Sequence, residues 1–185
     1  PISEEAEKDL TSTYALSKNV GEEVIKFHCQ RMGVGHTIVR FFNIFGPGQL
    51  PMYIVPQVLS QIRENNRIEI RNGTVMRDLL FVDDCIDAVL KLSVTPAAED
   101  TVFNIGSGHI VSILDVAKAA VEASGRQNVE ITDLEEKIEY SPTAIMADID
   151  KVQSIIDWYP KIVLKEGLKR MWQTMEQSNS TGSIG

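Results

Sequence analysis

Little in this 185-residue sequence indicates a metal, membrane or nucleic-acid protein. Its two cysteines, Cys29 and Cys85, form no Cys-x-x-Cys pair and have no neighbouring ligands at zinc spacing, so we expect two reduced thiols in a cytoplasmic protein. No apolar run approaches the ~18 residues that suggest a membrane span. The net charge is −8, and Lys and Arg are scattered, which disfavours the clustered basic surface that nucleic acid requires.

Helix and strand patterns instead alternate along the whole chain. Helical spacing covers residues 14–31, 55–64, 83–93, 148–158 and 164–177, and a capping box at Ser112 begins a helix that ends at Gly125. Strand patterns cover residues 36–42, 68–70, 101–105 and 129–132. This alternation predicts an α/β fold with a largely parallel sheet. We expect a single domain over residues 1–177, followed by a flexible tail over residues 178–185.

The first chemically informative feature is Tyr14 followed four residues later by Lys18. On a helix these side chains share one face. A phenol normally titrates near pH ~10, but a cation within a few ångströms favours the phenolate and lowers that pKa. Such a group can take or return a hydroxyl proton while hydride moves to or from a nicotinamide. An exposed helical pair without a chemical role is equally compatible with this spacing alone.

A wider pattern is formed by five segments in a fixed order. They are residues 1–4 with Tyr14, Lys18 and Glu22 or Glu23; residues 40–49 (RFFNIFGPGQ); residues 73–84 (GTVMRDLLFVDD); residues 103–108 with Ser112; and residues 147–151 with 158–160. Together they resemble the C-terminal part of an extended short-chain dehydrogenase/reductase, of the NAD-dependent sugar epimerase/dehydratase family. The resemblance covers nearly the whole chain. It implies a partial Rossmann-like parallel sheet plus the small α/β lobe that binds substrate.

The resemblance also implies roles for five residues. Tyr14 would be the catalytic acid/base, and Lys18 would tune it and hydrogen-bond the nicotinamide ribose. Phe42 would border the same NAD(P) cofactor. Asn43 would hydrogen-bond a nucleotide-sugar-like ligand, and Arg77 would clamp its diphosphate with a planar donor fork.

Plainer interpretations exist for several of these features. Phe42 could belong to the core, Asn43 could be a turn former, and Arg77 with Asp78 could be a surface ion pair worth little. The glycine pairs within residues 33–35, 46–48 and 106–108 are interpreted as turns, because none has the third glycine of a dinucleotide-binding loop.

The sequence departs from the family pattern in two respects. It begins at Pro1, and no glycine-rich turn for the cofactor pyrophosphate precedes Tyr14; the catalytic Ser or Thr found upstream of the tyrosine in relatives is absent as well. Relatives also usually offer a second arginine to the substrate diphosphate in the segment matching residues 127–150, which here contains none. We therefore expect little or no turnover by the chain alone.

Three hypotheses for its function follow. The chain is the C-terminal portion of an epimerase, dehydratase or reductase, a truncated non-catalytic module for binding or oligomerisation, or one half of an enzyme completed by another chain. Without an N-terminal half, the Tyr14 helix and the strand ending at Phe42 would expose an apolar face and a sheet edge. We therefore expect a homo-oligomer or a complementing N-terminal half.

Overall fold

A computed structural model describes residues 1–134 and 144–181, with side chains through residue 177. The helices are α1 (Thr13–Met32), α2 (Ile54–Asn65), α3 (Val82–Ser93), α4 (Ile113–Ser124), α5 (Asp150–Ile155) and α6 (Leu164–Thr181), with a 3-10 turn at Pro96–Ala98. The strands are β1 (Thr37–Phe41), β2 (Asn43–Phe45), β3 (Arg67–Arg71), β4 (Met76–Arg77), β5 (Leu79–Phe81), β6 (Thr101–Ile105), β7 (Val111–Ser112), β8 (Glu130–Leu134) and β9 (Ala144–Ile145).

Local sequence signals set the ends of α4 as predicted, and a glycine also ends α1. The side-chain oxygen of Ser112 accepts the amide of Asp115 at 3.0 Å and begins α4. Gly125 ends α4 in the left-handed region, with φ of 67°. Gly33 ends α1 in the same way, with φ of 63°, a conformation that costs other residues steric strain.

Most of the strand pairs are parallel. Pairs β1–β6, β2–β5 and β3–β8 are each parallel, and β4 lies between antiparallel β7 and parallel β9. The predicted α/β fold with mainly parallel strands is confirmed. Strands β2, β4, β5, β7 and β9 were not predicted, because two or three residues are too few to show a strand's alternating pattern.

Two hydrophobic clusters hold these elements together. The sheet cluster joins β6 to α3 and α5 and includes Phe103 and Trp158, both fully buried. The lobe cluster joins α2, α4 and α6 over β3. Strand β5 connects them, because Leu80 packs into the sheet cluster while its neighbour Phe81 packs into the lobe cluster, as alternation along a strand requires.

The C-terminal helices differ in length from the prediction. Helix α5 covers only Asp150–Ile155, because the backbone becomes extended at Ile156 and the Trp158 side chain packs into the sheet cluster. Helix α6 continues to Thr181, four residues into the segment predicted as a flexible tail. The remaining tail residues, 182–185, lie outside the described residues.

Helix α1 is poorly covered by the rest of the described chain. None of its residues is buried. Leu16, Val20, Val24 and Phe27 follow one another at helical spacing, so they form one stripe, and each is 48–54% exposed. Strand β1 pairs only with β6 within residues 1–134 and 144–181. The apolar face and the open sheet edge expected from the sequence are therefore present.

None of the helices in the described ranges combines the length and apolar character that a bilayer crossing requires.

Candidate functional site

Four of the five predicted site residues line a single cavity of about 960 Å³. They are Tyr14 from α1, Phe42 from the β1–β2 junction, Asn43 from β2 and Arg77 from β4. We refer to this space as the Arg77 cavity. Most of its remaining wall is apolar, supplied by residues of β2, α2, β5 and α4. A cavity of this size with a few polar groups in an apolar wall suits a small organic ligand.

The fifth predicted residue, Lys18, lines a second cavity of about 750 Å³ between α1, β1 and the N-terminal segment. We refer to this space as the Lys18 cavity. Tyr14 and Phe42 line both cavities, so they form part of the boundary between them. The structure therefore brings all five residues to one region but separates Lys18 from Asn43 and Arg77.

Tyr14 and Lys18 share a face of α1, as their spacing predicts. The Lys18 ammonium lies 5.4 Å from the centroid of the Tyr14 ring, within the range of a cation–π contact. Tyr14 is 72% exposed, so its phenol is open to a ligand in either cavity.

A main-chain carbonyl group beside Arg77 orients the Asn43 side chain. Its side-chain Nδ2 donates to the carbonyl oxygen of Asp78 at 3.1 Å. Asn43 begins strand β2, whose pairing with β5 places it opposite Leu79. The interpretation of Asn43 as a turn former is therefore wrong.

Arg77 and Asp78 do not form a surface ion pair, so that interpretation is also wrong. Asp78 is fully buried, and its carboxylate accepts the main-chain amides of Ser107 at 2.6 Å, Gly108 at 3.1 Å and Ala147 at 3.0 Å. Arg77 is half-buried and donates from Nη1 to the carbonyl oxygen of Met76 at 2.8 Å. Burial lowers the pKa of Arg77 from its ordinary value, because a desolvated charge is disfavoured.

The glycine pair at residues 106–108 is built around this carboxylate. A Cβ on Gly106 would lie 2.7 Å from Asp78 Oδ2 and 2.5 Å from the Cβ of Ala147, so only glycine fits. The amides of Ser107 and Gly108 already donate to Asp78. Because Asp78 already accepts these two amides, the turn does not present them to a phosphate group and is not a phosphate-binding loop.

A second anchor positions the helix that carries Tyr14. Arg40 on β1 makes two parallel bonds to the Glu22 carboxylate, each 2.7 Å, and a third to the carbonyl oxygen of Glu4 at 2.8 Å. The bonds from Arg40 to Glu22, together with an ion pair of 2.9 Å between Lys8 and the same carboxylate, lower the pKa of Glu22 from 4.5 to about 2. Of the two glutamates that fit the sequence pattern, Glu22 therefore joins α1 to β1, whereas Glu23 forms an exposed pair with Lys26.

One charged residue of the Arg77 cavity was not among the residues predicted from the sequence. Arg71, at the end of β3, lines it together with Arg77. The family pattern directs attention to residues 127–150 for a second arginine, and Arg71 lies on a different element. Only the strand register, in which Arg71 follows the buried Ile68 and Ile70, could have suggested that it faces away from the lobe cluster.

The residues present fit only part of a nicotinamide cofactor site. Tyr14, Lys18 and Phe42 around the Lys18 cavity suit the nicotinamide end, but the sequence has no glycine-rich turn for the pyrophosphate. Within residues 1–134 and 144–181, no group of three or more His, Cys, Asp or Glu side chains is placed to hold a metal ion.

Relatives of this chain extend beyond its length. It is 27% identical over 168 residues to the "Uncharacterized UDP-glucose epimerase YtcB" of Bacillus subtilis, covering 90% of this chain and 52% of that protein. It is 30% identical over 185 residues to a "Putative UDP-glucose 4-epimerase" of Methanocaldococcus jannaschii, covering 98% of this chain and 59% of that protein. The chain thus spans about half the length of the curated relatives it matches.

Solved structures agree with the fold. The UDP-glucuronic acid 4-epimerase of Bacillus cereus, in complex with NAD, is 26% identical with a TM-score of 0.85, covering 99% of this chain and 57% of that chain. RMD from Pseudomonas aeruginosa, complexed with NADPH, is 24% identical with a TM-score of 0.88 over 96% of this chain and 61% of its own, which supports the fold alone. The model of the NAD dependent epimerase/dehydratase family matches residues 1–106. Sequence motifs, fold and family match agree that this chain belongs to the NAD-dependent epimerase/dehydratase family.

Proposed function

We propose that this chain is the substrate-binding and proton-transfer part of an NAD(P)-dependent epimerase or dehydratase that acts on a nucleotide sugar. The observation that supports this most strongly is the placement of Tyr14, Phe42, Asn43 and Arg77 around one cavity. The names of the Bacillus subtilis and Methanocaldococcus jannaschii relatives, both UDP-glucose epimerases, support a nucleotide sugar as the ligand class.

Tyr14 is the group that would move the proton. Its position on the boundary of both cavities lets it meet a sugar hydroxyl on one side and the nicotinamide end of a cofactor on the other. As hydride leaves the hydroxyl-bearing carbon, the Tyr14 phenolate takes the hydroxyl proton and a carbonyl forms; the reverse step returns that proton. Lys18 lies one helical turn away, with its ammonium 5.4 Å from the centroid of the Tyr14 ring. A bound nicotinamide supplies the hydride acceptor and donor.

A nucleotide-binding segment would complete the enzyme. On the cofactor side, this chain offers Tyr14, Lys18 and Phe42, and it spans about half the length of its curated relatives. We propose that the missing function is provided by further sequence of the same polypeptide or by a separate chain. The 185 residues alone are expected to turn over little substrate.

A binding or oligomerisation module is the second candidate, and the exposed stripe on α1 favours it. Leu16, Val20, Val24 and Phe27 present a continuous apolar surface that a second copy of the chain could cover. Under this hypothesis, Tyr14 and Lys18 have only a structural role in helix α1.

Calorimetric titration of the chain with UDP-glucose separates the two candidates. For the enzyme part we expect saturable binding that Arg77→Ala weakens about tenfold or more, because a guanidinium–phosphate pair is lost. Arg63→Ala is the matched control, since Arg63 lies on α2 beside Glu64 and does not line the cavity. Absence of binding at millimolar UDP-glucose by a chain that self-associates would instead support the module.

A further inference from the structure

Asp84 is a buried carboxylate that lines neither the Arg77 cavity nor the Lys18 cavity. It lies on the first turn of α3 and is 3% exposed. Its Oδ2 accepts the main-chain amides of Lys161 at 3.0 Å and Ile162 at 2.8 Å, and its main-chain oxygen accepts the indole Nε1–H of Trp158 at 3.0 Å. Because a buried charge is costly unless it is hydrogen-bonded, Asp84 and these donors hold one another in place.

The segment that Asp84 holds runs from one hydrophobic cluster to the other. Residues 156–163 join α5, in the sheet unit (β6, α3 and α5), to α6, in the lobe unit (α2, α4, α6 and β3). Ile156 and Trp158 are buried in the sheet cluster, whereas Ile162 packs against the lobe cluster. Asp84 therefore binds the segment where it passes between the two units, just before α6 begins.

Helix α6 packs tightly against a wall of the Arg77 cavity. The rings of Phe45 and Phe81, on the paired strands β2 and β5, lie 5.4 Å apart, and Phe45 lines the cavity. A Cβ on Gly167 of α6 would lie 2.7 Å from both rings. Since α6 has no spare room here, a shift of its start would displace Phe45 and change the shape of the cavity.

Asp78 makes the corresponding contacts on the other side of β5. Its carboxylate accepts three main-chain amides, two from the loop between β6 and β7 and one from the loop between β9 and α5. The first loop leads from the sheet unit to α4, and the second leads back to α5. Buried aspartates on either side of β5 therefore hold three of the segments that pass between the two units.

We propose that Asp84 is a positioning residue that, with Asp78, fixes the orientation of the lobe unit relative to the sheet unit and so sets the shape of the Arg77 cavity. The cavity is lined from both sides, by Phe42 after β1 and by Val55 and Ile113 of the lobe cluster. Asp84 itself contacts no ligand. The effect on ligand binding rests on the proposed function, whereas the orientation of the lobe unit does not.

Residual dipolar couplings of the backbone N–H groups in the ¹⁵N-labelled chain test this proposal. One alignment tensor should fit both units of the unaltered chain. In Asp84→Ala the Lys161 and Ile162 amides lose their acceptor, so we expect the lobe unit to require a separate tensor. Calorimetry should then show UDP-glucose binding weakened about tenfold or more. A residue that only adds stability would leave both units on one tensor.

Two further variants complete the test. In Asp84→Asn, the amide Oδ1 can replace the carboxylate Oδ2 as acceptor of both main-chain amides, so a common tensor and a UDP-glucose Kd within about threefold of the unaltered value are expected. Asp83→Ala is the matched control, because Asp83 is exposed and pairs with Arg170 of α6 at 3.2 Å, a surface contact worth little. It should change neither the tensor nor the affinity.

The outcomes separate this proposal from the proposed function. A single tensor for Asp84→Ala would overturn the role of Asp84, whatever the affinity. Separate tensors with unaltered UDP-glucose affinity would overturn its effect on the cavity. Separate tensors in Asp84→Ala, with no UDP-glucose binding by the unaltered chain, would remove the proposed function and support the role of Asp84 in orientation. If Asp84→Ala does not fold, Asp84→Ser, which keeps one hydroxyl acceptor, is measured in its place with the same expected separation.

Discussion

The side-chain amide of Asn43 donates a hydrogen bond of 3.1 Å to the main-chain oxygen of Asp78. Because a carbonyl can only accept, this bond fixes which end of the Asn43 amide faces Asp78. The Asp78 carboxylate is held in turn by three main-chain amides from two other segments. The hydrogen bonds around buried Asp78 therefore position both Asn43 and its neighbour Arg77. Asn43 Oδ1 is the end of the amide that is available to a hydroxyl of the ligand.

Replacing the Asn43 side-chain amide with a carboxylate should disturb the contacts around Asp78 more than removing the amide does. In Asn43→Asp, an acceptor would face the Asp78 carbonyl oxygen and a negative charge would face an anionic ligand. We expect Asn43→Asp to weaken UDP-glucose binding several-fold more than Asn43→Ala in calorimetry. Gln57→Glu, which adds the same charge on the exposed side of α2, is the control. Equal affinities for Asn43→Asp and Asn43→Ala would argue against this orientation of Asn43.

The role proposed for Tyr14 separates binding from turnover. When a nucleotide-binding segment that restores activity is supplied, Tyr14→Phe should lower kcat by roughly 10²–10⁴, the usual contribution of a general acid–base group. The UDP-glucose Kd should stay within about threefold, because the ring and the diphosphate contacts remain. Tyr159→Phe, at an exposed position, controls for the loss of a hydroxyl. A Tyr14→Phe enzyme with unaltered kcat would contradict the mechanism.

The sequence predicted the long elements of this fold better than the connections between them. The helical spacing over residues 14–31 predicted α1, and the strand pattern over residues 36–42 predicted β1. The buried carboxylate of Asp78 could not be predicted, because its three amide donors come from positions about 30 and 69 residues away. Strands of two or three residues, such as β4 and β7, form only because neighbours pair with them.

Arg71 illustrates the same limit at the site. Family motifs direct attention to Arg77 and to residues 127–150, and a lone arginine at a strand end carries no signal by itself. Its place in the cavity depends on the turn held by Asp133, which is a contact between distant segments.

Glu22 should make stability depend on pH. Its pKa in the fold is about 2, below the ordinary 4.5, so its bonds to Arg40 stabilise the fold fully above about pH 4.5. That contribution is lost as the pH falls from about 4.5 towards 2. After allowance for solvent screening, Glu22→Gln should lower the free energy of unfolding at pH 7 by on the order of 1–2 kcal/mol.

Urea unfolding at a series of pH values measures this effect. The difference between Glu22→Gln and the unaltered chain should shrink steadily below about pH 4.5. Glu23→Gln, whose exposed partner is Lys26, should cost much less at any pH. A Glu22→Gln penalty that is the same at pH 7 and pH 3 would rule out this account of the Glu22–Arg40 contact.

The stripe on α1 predicts self-association when no other segment covers it. Sedimentation velocity of the 185-residue chain should reveal association that increases with concentration, because the stripe presents four large apolar side chains. The double change Val20→Glu and Val24→Glu should return the chain to a monomer. Ile86→Glu with Leu90→Glu, at exposed apolar positions one turn apart on α3, is the matched control. A monomer at all concentrations would show that the stripe is tolerated uncovered.

The most direct test of the account is nuclear magnetic resonance of the ¹⁵N-labelled chain during titration with UDP-glucose. We predict saturable shifts of the Asn43 side-chain amide and the Arg77 Nε–H, because both line the proposed ligand site. The Asn66 side-chain amide, which bonds the carbonyl oxygens of Gln127 and Asn128, should stay unmoved. Unchanged Asn43 and Arg77 signals at millimolar UDP-glucose, or shifts centred elsewhere, would contradict the assignment of this cavity to a nucleotide sugar.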